Sequence, residues 1–126
     1  MNKKIIKGKF KIKKDLSGVL SFLEKKKEIK EIKRIFFVKV KKKTTRGNHA
    51  HKKCTQILFC LNGCLDLEIF NGNKWCTIRL VEFRDYIIVP PLNFVKIHYK
   101  KKGTILGVLC NRYYDKNDYI YNIKYK

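Results

Sequence analysis

Residues 56–80 read QILFCLNGCLDLEIFNGNKWCTIRL, and this stretch decides the fold class. Between Leu65 and Ile69, apolar and acidic side chains alternate strictly, which is the period of a half-buried β-strand. Asn-Gly pairs stand at 62–63 and 71–72, and this dipeptide between apolar runs is the strongest short-range signal of a β-hairpin. The stretch therefore predicts three consecutive strands joined by two tight hairpin turns.

The same alternation continues toward both ends of the chain. Strands are predicted over residues 5–13, 19–23, 35–40, 44–51, 56–61, 65–69, 75–80, 86–89, 94–99 and 104–110. The charged stretch 24–33 is predicted to be a loop or one short helix, and the tail from Asp115 a short helix. About ten regularly spaced strands indicate an all-β jelly-roll or barrel. With 126 residues, 44% of them hydrophobic, we expect one domain, 1–126.

Composition narrows the choice of partner and compartment. The chain has 31 Lys and Arg against 10 Asp and Glu, a formal net charge of +21. Such a charge attracts phosphate-bearing ligands, whether nucleic acid, an anionic membrane or a nucleotide diphosphate, or it simply solvates the outer faces of strands. Five cysteines without a Cys-x-x-Cys spacing predict free thiols. With neither a signal sequence nor a long apolar run, we expect a cytoplasmic protein that contacts no membrane.

Two histidines carry the strongest chemical signal. His49 and His51 stand two residues apart on a predicted strand, so both imidazoles project from one face. On the inner face of a barrel they would suit the transfer of a proton, because the pKa of histidine lies near neutrality. The alternative is a neutral pair on a solvated face. The proton-transfer hypothesis requires both rings to face a dry cavity large enough for one hexose.

The spacing of residues 47–63 resembles the first cupin motif, in which a His-x-His pair and a glutamate bind a metal. Gln56 occupies the glutamate position, and Val95 occupies the position of the histidine in the second cupin motif. His98 is predicted to lie on the opposite face of its strand. Two imidazoles and a neutral amide make a poor ligand set for zinc, iron or manganese. We therefore expect no metal and no other cofactor.

Three segments resemble one family: RGNHAHKK at 46–53, the pair Pro90-Pro91, and YYDKNDYI at 113–120. They are similar to the thymidine-diphosphate-4-keto-6-deoxyglucose 3,4-ketoisomerases, the WxcM-like cupins of deoxysugar biosynthesis. The resemblance implies a metal-independent homodimer that exchanges N-terminal strands. It also implies a reaction that moves the hexose carbonyl from C4 to C3 through an enediol, in pathways that build lipopolysaccharide and other glycans.

The resemblance also implies roles for single residues. His51 is expected to act as base, with His49 as its partner in returning the proton, although the division between them is open. Arg46 is expected to clamp the diphosphate or the developing oxyanion; alternatively it forms a salt bridge at the rim. Gln56 is expected to contact the substrate.

Several positions depart from the family pattern. Phe37 stands where the family has a substrate-contacting tyrosine, Ser17 where an arginine is frequent, and Phe94-Val95 where Trp-His is common. These departures leave three alternatives. A water molecule or the hydroxyl of Tyr99 or Tyr86 replaces the lost groups, or the substrate differs from that of the family. In the third alternative, the chain is a non-catalytic cupin module that binds a nucleotide sugar or a partner protein. Nucleic-acid binding rests on net charge alone and is not expected, and a metal-dependent oxygenase remains a further alternative.

Overall fold

A computed structural model describes residues 3–24 and 26–123. Within them the elements are β1 (Ile6–Lys9), β2 (Lys11–Asp15), β3 (Gly18–Phe22), α1 (Lys27–Lys30), β4 (Arg34–Lys39), β5 (Thr44–His51), β6 (Gln56–Asn62), β7 (Cys64–Phe70), β8 (Trp75–Val81), β9 (Asp85–Val89), β10 (Phe94–Tyr99), β11 (Ile105–Cys110) and β12 (Tyr119–Ile120). The predicted all-β class is confirmed, and α1 is the short helix allowed for in the charged stretch. No helix within these residues is long and apolar enough to cross a bilayer.

The strands form two antiparallel five-stranded sheets, in the orders β1-β9-β6-β11-β4 and β12-β5-β10-β7-β8. Their inner faces enclose the core, and in the second sheet the apolar residues of β7 alternate with outward polar ones, whereas β9 of the first sheet is buried on both faces. In β7, for example, Leu65, Leu67 and Ile69 are all fully buried. The hairpin of β2 and β3 stands apart as a two-stranded sheet. Between it and the outer face of the first sheet lies an open apolar groove.

One of the two predicted hairpin turns is correct. Asn71 and Gly72 join β7 to β8, which pair directly, and the Asn71 side chain accepts hydrogen bonds from the backbone N–H groups of Asn73 (2.9 Å) and Lys74 (3.0 Å). The hairpin predicted at Asn62 and Gly63 is wrong, since β6 and β7 lie in different sheets. Asn62 and Gly63 still form a sharp turn, with φ = +87° at Gly63. This turn leads the chain from the first sheet into the second instead of back along β6.

The C-terminal segment contains less helix than predicted, and it includes a short strand. Helical structure is limited to one 3₁₀ turn, Lys116–Asp118, which begins after Asp115, whose side chain accepts a hydrogen bond from the Asn117 backbone N–H at 2.9 Å. The chain then forms β12, which pairs with β5 opposite Ala50 and His51. The edge of the sheet that carries the histidines is thereby covered by the tail.

Candidate active site

A bulge in β5 determines which of its side chains face the barrel interior. Gly47 and Asn48 both have positive φ, +88° and +57°. The register with β10 shifts there, so that Val95 pairs with His49 while Ile97 pairs with Arg46. Directly opposite residues of antiparallel strands share a face, and the extra residue of a bulge reverses the alternation. Arg46 therefore lies on the same face as His49. In a regular strand, residues three positions apart would point to opposite faces.

Both histidines face inward, as predicted. Their ring centroids are 5.0 Å apart, with the ring planes at 86°. They line an enclosed cavity together with Gln56, Asn93 and apolar residues of β6, β9 and β10. The expected hexose-sized cavity is not present, because the enclosed volume is about 20 Å³, which is room for one water molecule. The core side chains Leu58 and Val89 are among those that occupy the rest of this space.

Asp118 determines the tautomer of His51. Its carboxylate Oδ2 lies 2.9 Å from Nδ1 of His51, and the carboxylate also accepts the backbone N–H groups of Lys53 (2.8 Å) and Cys54 (3.3 Å). Because a carboxylate only accepts, Nδ1 of the neutral ring carries the proton and Nε2 carries the lone pair. Nε2 is buried and has no hydrogen-bond partner among the described residues. The lone pair is therefore free to accept a proton.

Burial keeps both imidazoles neutral near pH 7. Desolvation lowers the pKa of His51, against the opposing effect of the Asp118 hydrogen bond. Desolvation likewise lowers the pKa of His49, whose Nδ1 lies 3.0 Å from the Gly47 carbonyl oxygen. A carbonyl oxygen also only accepts, so Nε2 of His49 carries a lone pair as well. The pair thus presents two neutral bases.

A second group of interior side chains lies close to the histidines and was not predicted from sequence. The Tyr119 ring covers both imidazoles, with centroid distances of 4.7 Å to His49 and 4.5 Å to His51. Arg34 hydrogen-bonds the Tyr119 hydroxyl and, at 3.4 Å, the sulfur of Cys110. A hydrogen bond from Cys54 lowers the pKa of Cys110, and hydrogen bonds from Gln56 and Arg34 add to this. The interior therefore holds a positive guanidinium beside a thiol whose pKa these hydrogen bonds lower, against the opposing effect of burial.

Of the other predicted residues, Gln56 and Arg46 are well placed. Gln56 lines the cavity and donates to the Cys110 sulfur at 3.4 Å. Arg46 is exposed, and its guanidinium hydrogen-bonds the Tyr99 hydroxyl. No salt bridge to Arg46 is found among the described residues; the ion pairs of Asp66, Glu68, Asp85 and Asp118 are all to other residues. Its charge is therefore available to an anionic ligand.

The structure places the aromatic side chains named from the sequence away from the cavity. Phe37 is 55% exposed and points away from the cavity, because its neighbours Phe36 and Val38 take the inward positions of β4. Tyr99 is buried in the core, where burial raises its pKa to about 12, and it does not line the cavity. Tyr86 faces the other side of its sheet and packs against Phe10. Neither hydroxyl can replace the missing tyrosine at the histidines.

The predicted orientation of His98 is confirmed. Its ring lies away from the cavity, where Nε2 contacts the Glu68 carboxylate at 2.6 Å and Nδ1 contacts the Thr45 hydroxyl at 2.7 Å. Val95, at the position of the second-motif histidine, lines the cavity with an apolar side chain. The interior therefore has two histidines rather than three.

Comparison with known proteins gives the family. The family described as "FdtA: WxcM-like, C-terminal" matches residues 1–125. The chain belongs to this family. A curated relative of this WxcM-like chain is the TDP-4-oxo-6-deoxy-alpha-D-glucose-3,4-oxoisomerase of Aneurinibacillus thermoaerophilus, which is 35% identical over 108 residues, 84% of this chain and 78% of the relative.

Solved structures agree with this assignment. The H51N variant of the 3,4-ketoisomerase QdtA from Thermoanaerobacterium thermosaccharolyticum, in complex with TDP-4-keto-6-deoxyglucose, superposes with a TM-score of 0.87 and 34% identity, covering 99% of the WxcM-like chain and 92% of QdtA. WlaRA of Campylobacter jejuni, a TDP-fucose-3,4-ketoisomerase, gives a TM-score of 0.83 and 29% identity. The match covers 98% of the WxcM-like chain and 93% of WlaRA. Both are proteins of similar length and fold to this chain.

Proposed function

We propose that this chain is a sugar-nucleotide 3,4-ketoisomerase that converts TDP-4-keto-6-deoxyglucose to the 3-keto isomer. The observation that carries the proposal is the state of His51: its ring is buried and neutral, Asp118 holds the proton on Nδ1, and the lone pair of Nε2 is directed inward. A 4-keto sugar needs such a base, because the hydrogen on C3, next to the carbonyl, has to be removed as a proton. The named relatives catalyse this class of reaction.

The reaction is a balanced proton transfer. His51 takes the proton from C3, the C3–H electron pair forms the C3=C4 double bond of an enediolate, and the C4 carbonyl oxygen takes the negative charge. The C3 hydroxyl then passes its proton to the C4 oxygen, a C3=O bond forms, and C4 receives a proton from the imidazolium, so the C4 oxygen ends as a hydroxyl. His49 shares in this return, since its ring lies 5.0 Å from that of His51. No electron acceptor or donor is required.

The small cavity sets a condition on this mechanism. Nε2 of His51 is fully buried, whereas His49 is half-buried, so the sugar meets His49 first. Direct transfer from C3 to His51 therefore requires that the cavity widens when the sugar binds. The named relatives, which are isomerases, support catalysis and not the alternative of a non-catalytic nucleotide-sugar module.

Arg46 and the positively charged surface are proposed to bind the diphosphate of the substrate. Arg46 is exposed on the face that carries the histidines, and its planar guanidinium matches the geometry of a diphosphate. The net charge of +21 raises the local concentration of such a ligand. A nucleotide sugar then satisfies both the buried base and the outer cations, without nucleic acid or membrane as a partner.

The assembly belongs to the proposal as well. We infer that residues 1–126 form one cupin domain of a cytoplasmic homodimer in deoxysugar biosynthesis, and that the N-terminal strands exchange between subunits. The tip and second strand of the β2–β3 hairpin support this exchange, since Leu16, Val19 and Leu20 are 109%, 47% and 57% exposed. Apolar side chains on a protruding hairpin are stabilised when a second subunit covers them.

Deuterium incorporation tests the function. The protein is incubated with TDP-4-keto-6-deoxyglucose in deuterated water, and label at C3 or C4 is followed by NMR spectroscopy and mass spectrometry. His51→Asn should abolish labelling while TDP still binds, whereas the control His98→Asn, at a histidine outside the cavity, should label normally. Bound but unlabelled substrate with the wild-type protein would favour the non-catalytic module.

A further inference from the structure

On the Asp118 side of His51, the interior holds a cluster of three potential metal ligands. His51, Cys54 and Asp118 each offer one ligand atom, these atoms all lie within 4.8 Å of one another, and all three residues are buried. The isomerase mechanism uses His51 and Asp118 but assigns nothing to Cys54. We propose that this cluster is an inhibitory site for a thiophilic divalent cation, of which zinc is the physiological example.

The donor set fits such a cation. Zinc accepts imidazole nitrogen, thiolate sulfur and carboxylate oxygen in tetrahedral sites. The Nδ1 edge of His51 faces this cluster, because Nδ1 lies 2.9 Å from Oδ2 of Asp118. The cation would take the place of the proton that these two atoms share. Oδ1 of Asp118 keeps its hydrogen bond from the Lys53 backbone N–H, so the loop that presents Cys54 stays in place.

A second thiol lies beside the cluster. The Cys110 sulfur is hydrogen-bonded with the Cys54 thiol, and both side chains belong to the same buried core. The thiolate of Cys54 and the imidazole of His51 favour zinc over magnesium or calcium, which prefer oxygen ligands, and a water molecule would complete four-coordination. The Nε2 atoms that face the cavity are not part of this site.

Binding there would switch off the base, a consequence that rests on the proposed function. The cation takes the lone pair of Nδ1, the single ring proton moves to Nε2, and the Cys54 thiol releases its proton to solvent. A coordinating thiol is deprotonated by the metal itself. Nε2 of His51 then donates and can no longer accept the C3 proton. The cation therefore inhibits by fixing the wrong tautomer, and it does not need to block the substrate.

An open pocket of about 240 Å³ gives access to Asp118 from solvent. Asp115 lines it too, but so do the cations Lys33, Lys53 and Arg112. These charges repel an approaching cation, and salt screens that repulsion. Zinc should therefore bind more tightly at higher ionic strength, opposite to the salt dependence expected for the nucleotide substrate.

Cobalt provides a readout that is independent of activity. Metal-free wild-type protein titrated with Co²⁺ should develop the near-ultraviolet charge-transfer absorption of a cobalt–thiolate bond. In parallel, Zn²⁺ should inhibit deuterium exchange into the substrate. Cys54→Ser should lose the absorption and need at least tenfold more Zn²⁺ for the same inhibition, with its uninhibited rate unchanged. The control Cys76→Ser, at a half-buried thiol outside the cluster, should behave as wild type.

Two results would overturn the site: no thiolate absorption at saturating Co²⁺, or equal zinc inhibition of Cys54→Ser and wild type. If Cys54→Ser does not fold, the ring nitrogen-15 resonances of His51 in the wild-type protein decide the question. Zinc should move the ring proton from Nδ1 to Nε2, and unchanged resonances would refute the proposal. Cobalt absorption in a protein that never labels the sugar would retain the metal site and reject the isomerase function instead.

Discussion

Asp118→Asn removes one negative charge and one acceptor beside His51 while keeping the shape of the side chain. The carboxylate accepts three hydrogen bonds, from Nδ1 of His51 and from the backbone N–H groups of Lys53 and Cys54. An amide has one oxygen and one NH₂ group, so it cannot accept on both sides. If the oxygen stays with Lys53, the NH₂ group faces Nδ1, the His51 proton moves to Nε2, and the Cys54 N–H loses its acceptor. If the amide turns over, the Lys53 N–H loses its acceptor.

Both arrangements have a measurable cost. A general base contributes about 10²–10⁴ in rate, so the tautomer with its proton on Nε2 should slow deuterium exchange by about that factor. A buried N–H group without an acceptor costs about 1–3 kcal/mol, so the free energy of unfolding should fall by about that amount in either arrangement, through Cys54 in the first and Lys53 in the second. The nitrogen-15 shifts of the His51 ring report which nitrogen is protonated and distinguish the two arrangements.

The matched control is Asp115→Asn at the start of the same 3₁₀ turn. Asp115 is exposed and its Oδ1 accepts only the Asn117 N–H among the hydrogen bonds described above, a role that asparagine fills equally well. Its rate and stability should be those of wild type. An Asp118→Asn protein that exchanges deuterium at the wild-type rate, with the proton still on Nδ1 and unchanged stability, would refute the argument that this carboxylate determines the tautomer.

Three further predictions concern pH, the bulge and the outer cation. The rate of deuterium exchange should stay level as the pH falls to 6.5 and decline only below that value. The base must be neutral to act, and burial places the pKa values of His49 and His51 below the ordinary value of 6.5. A midpoint of the pH–rate curve above 6.5 would contradict this. Gly47→Ala should lower the free energy of unfolding, measured in urea, by about 1–2 kcal/mol, which is the cost of the left-handed conformation. The φ of Gly47 is +88°, and a Cβ there would lie 3.0 Å from the Val95 carbonyl oxygen. Gly18→Ala is the control, because a Cβ at that position meets nothing within 4 Å, and equal losses in the two variants would count against the bulge. Arg46→Ala should raise KM for the nucleotide sugar more than it lowers kcat if the guanidinium binds the diphosphate, and a loss confined to kcat would assign Arg46 to the oxyanion instead.

Local periodicity was sufficient to predict most of the strands and the face shared by the two histidines. It did not separate β1 from β2 within residues 5–13, and it did not predict β12. The predicted boundaries of β5, Thr44–His51, and of β10, Phe94–Tyr99, agree with the structure to the residue. In each, the side chains of a strand alternate every two residues, and this property is contained in the order of the residues. The spacing of His49 and His51 follows the same rule, since no bulge lies between them.

The partners of those strands and histidines were decided by tertiary structure. Asn62-Gly63 produces a tight turn in either arrangement, and only the pairing of β6 with β9 and β11 shows that the turn changes sheets. Asp118 lies 67 positions from His51 in the chain, and no local pattern relates them. The face of Arg46 depends on one extra residue in the register with β10.

From its sequence alone, then, the chain determined its all-β class, most strand boundaries to within one residue and the face shared by His49 and His51, because these follow from interactions between residues close in the chain. The tautomer of His51, the outward Phe37 and the water-sized cavity were decided only when distant strands packed together. Side-chain volumes and hydrogen-bond partners depend on distances between segments, and the order of residues along a strand does not contain those distances.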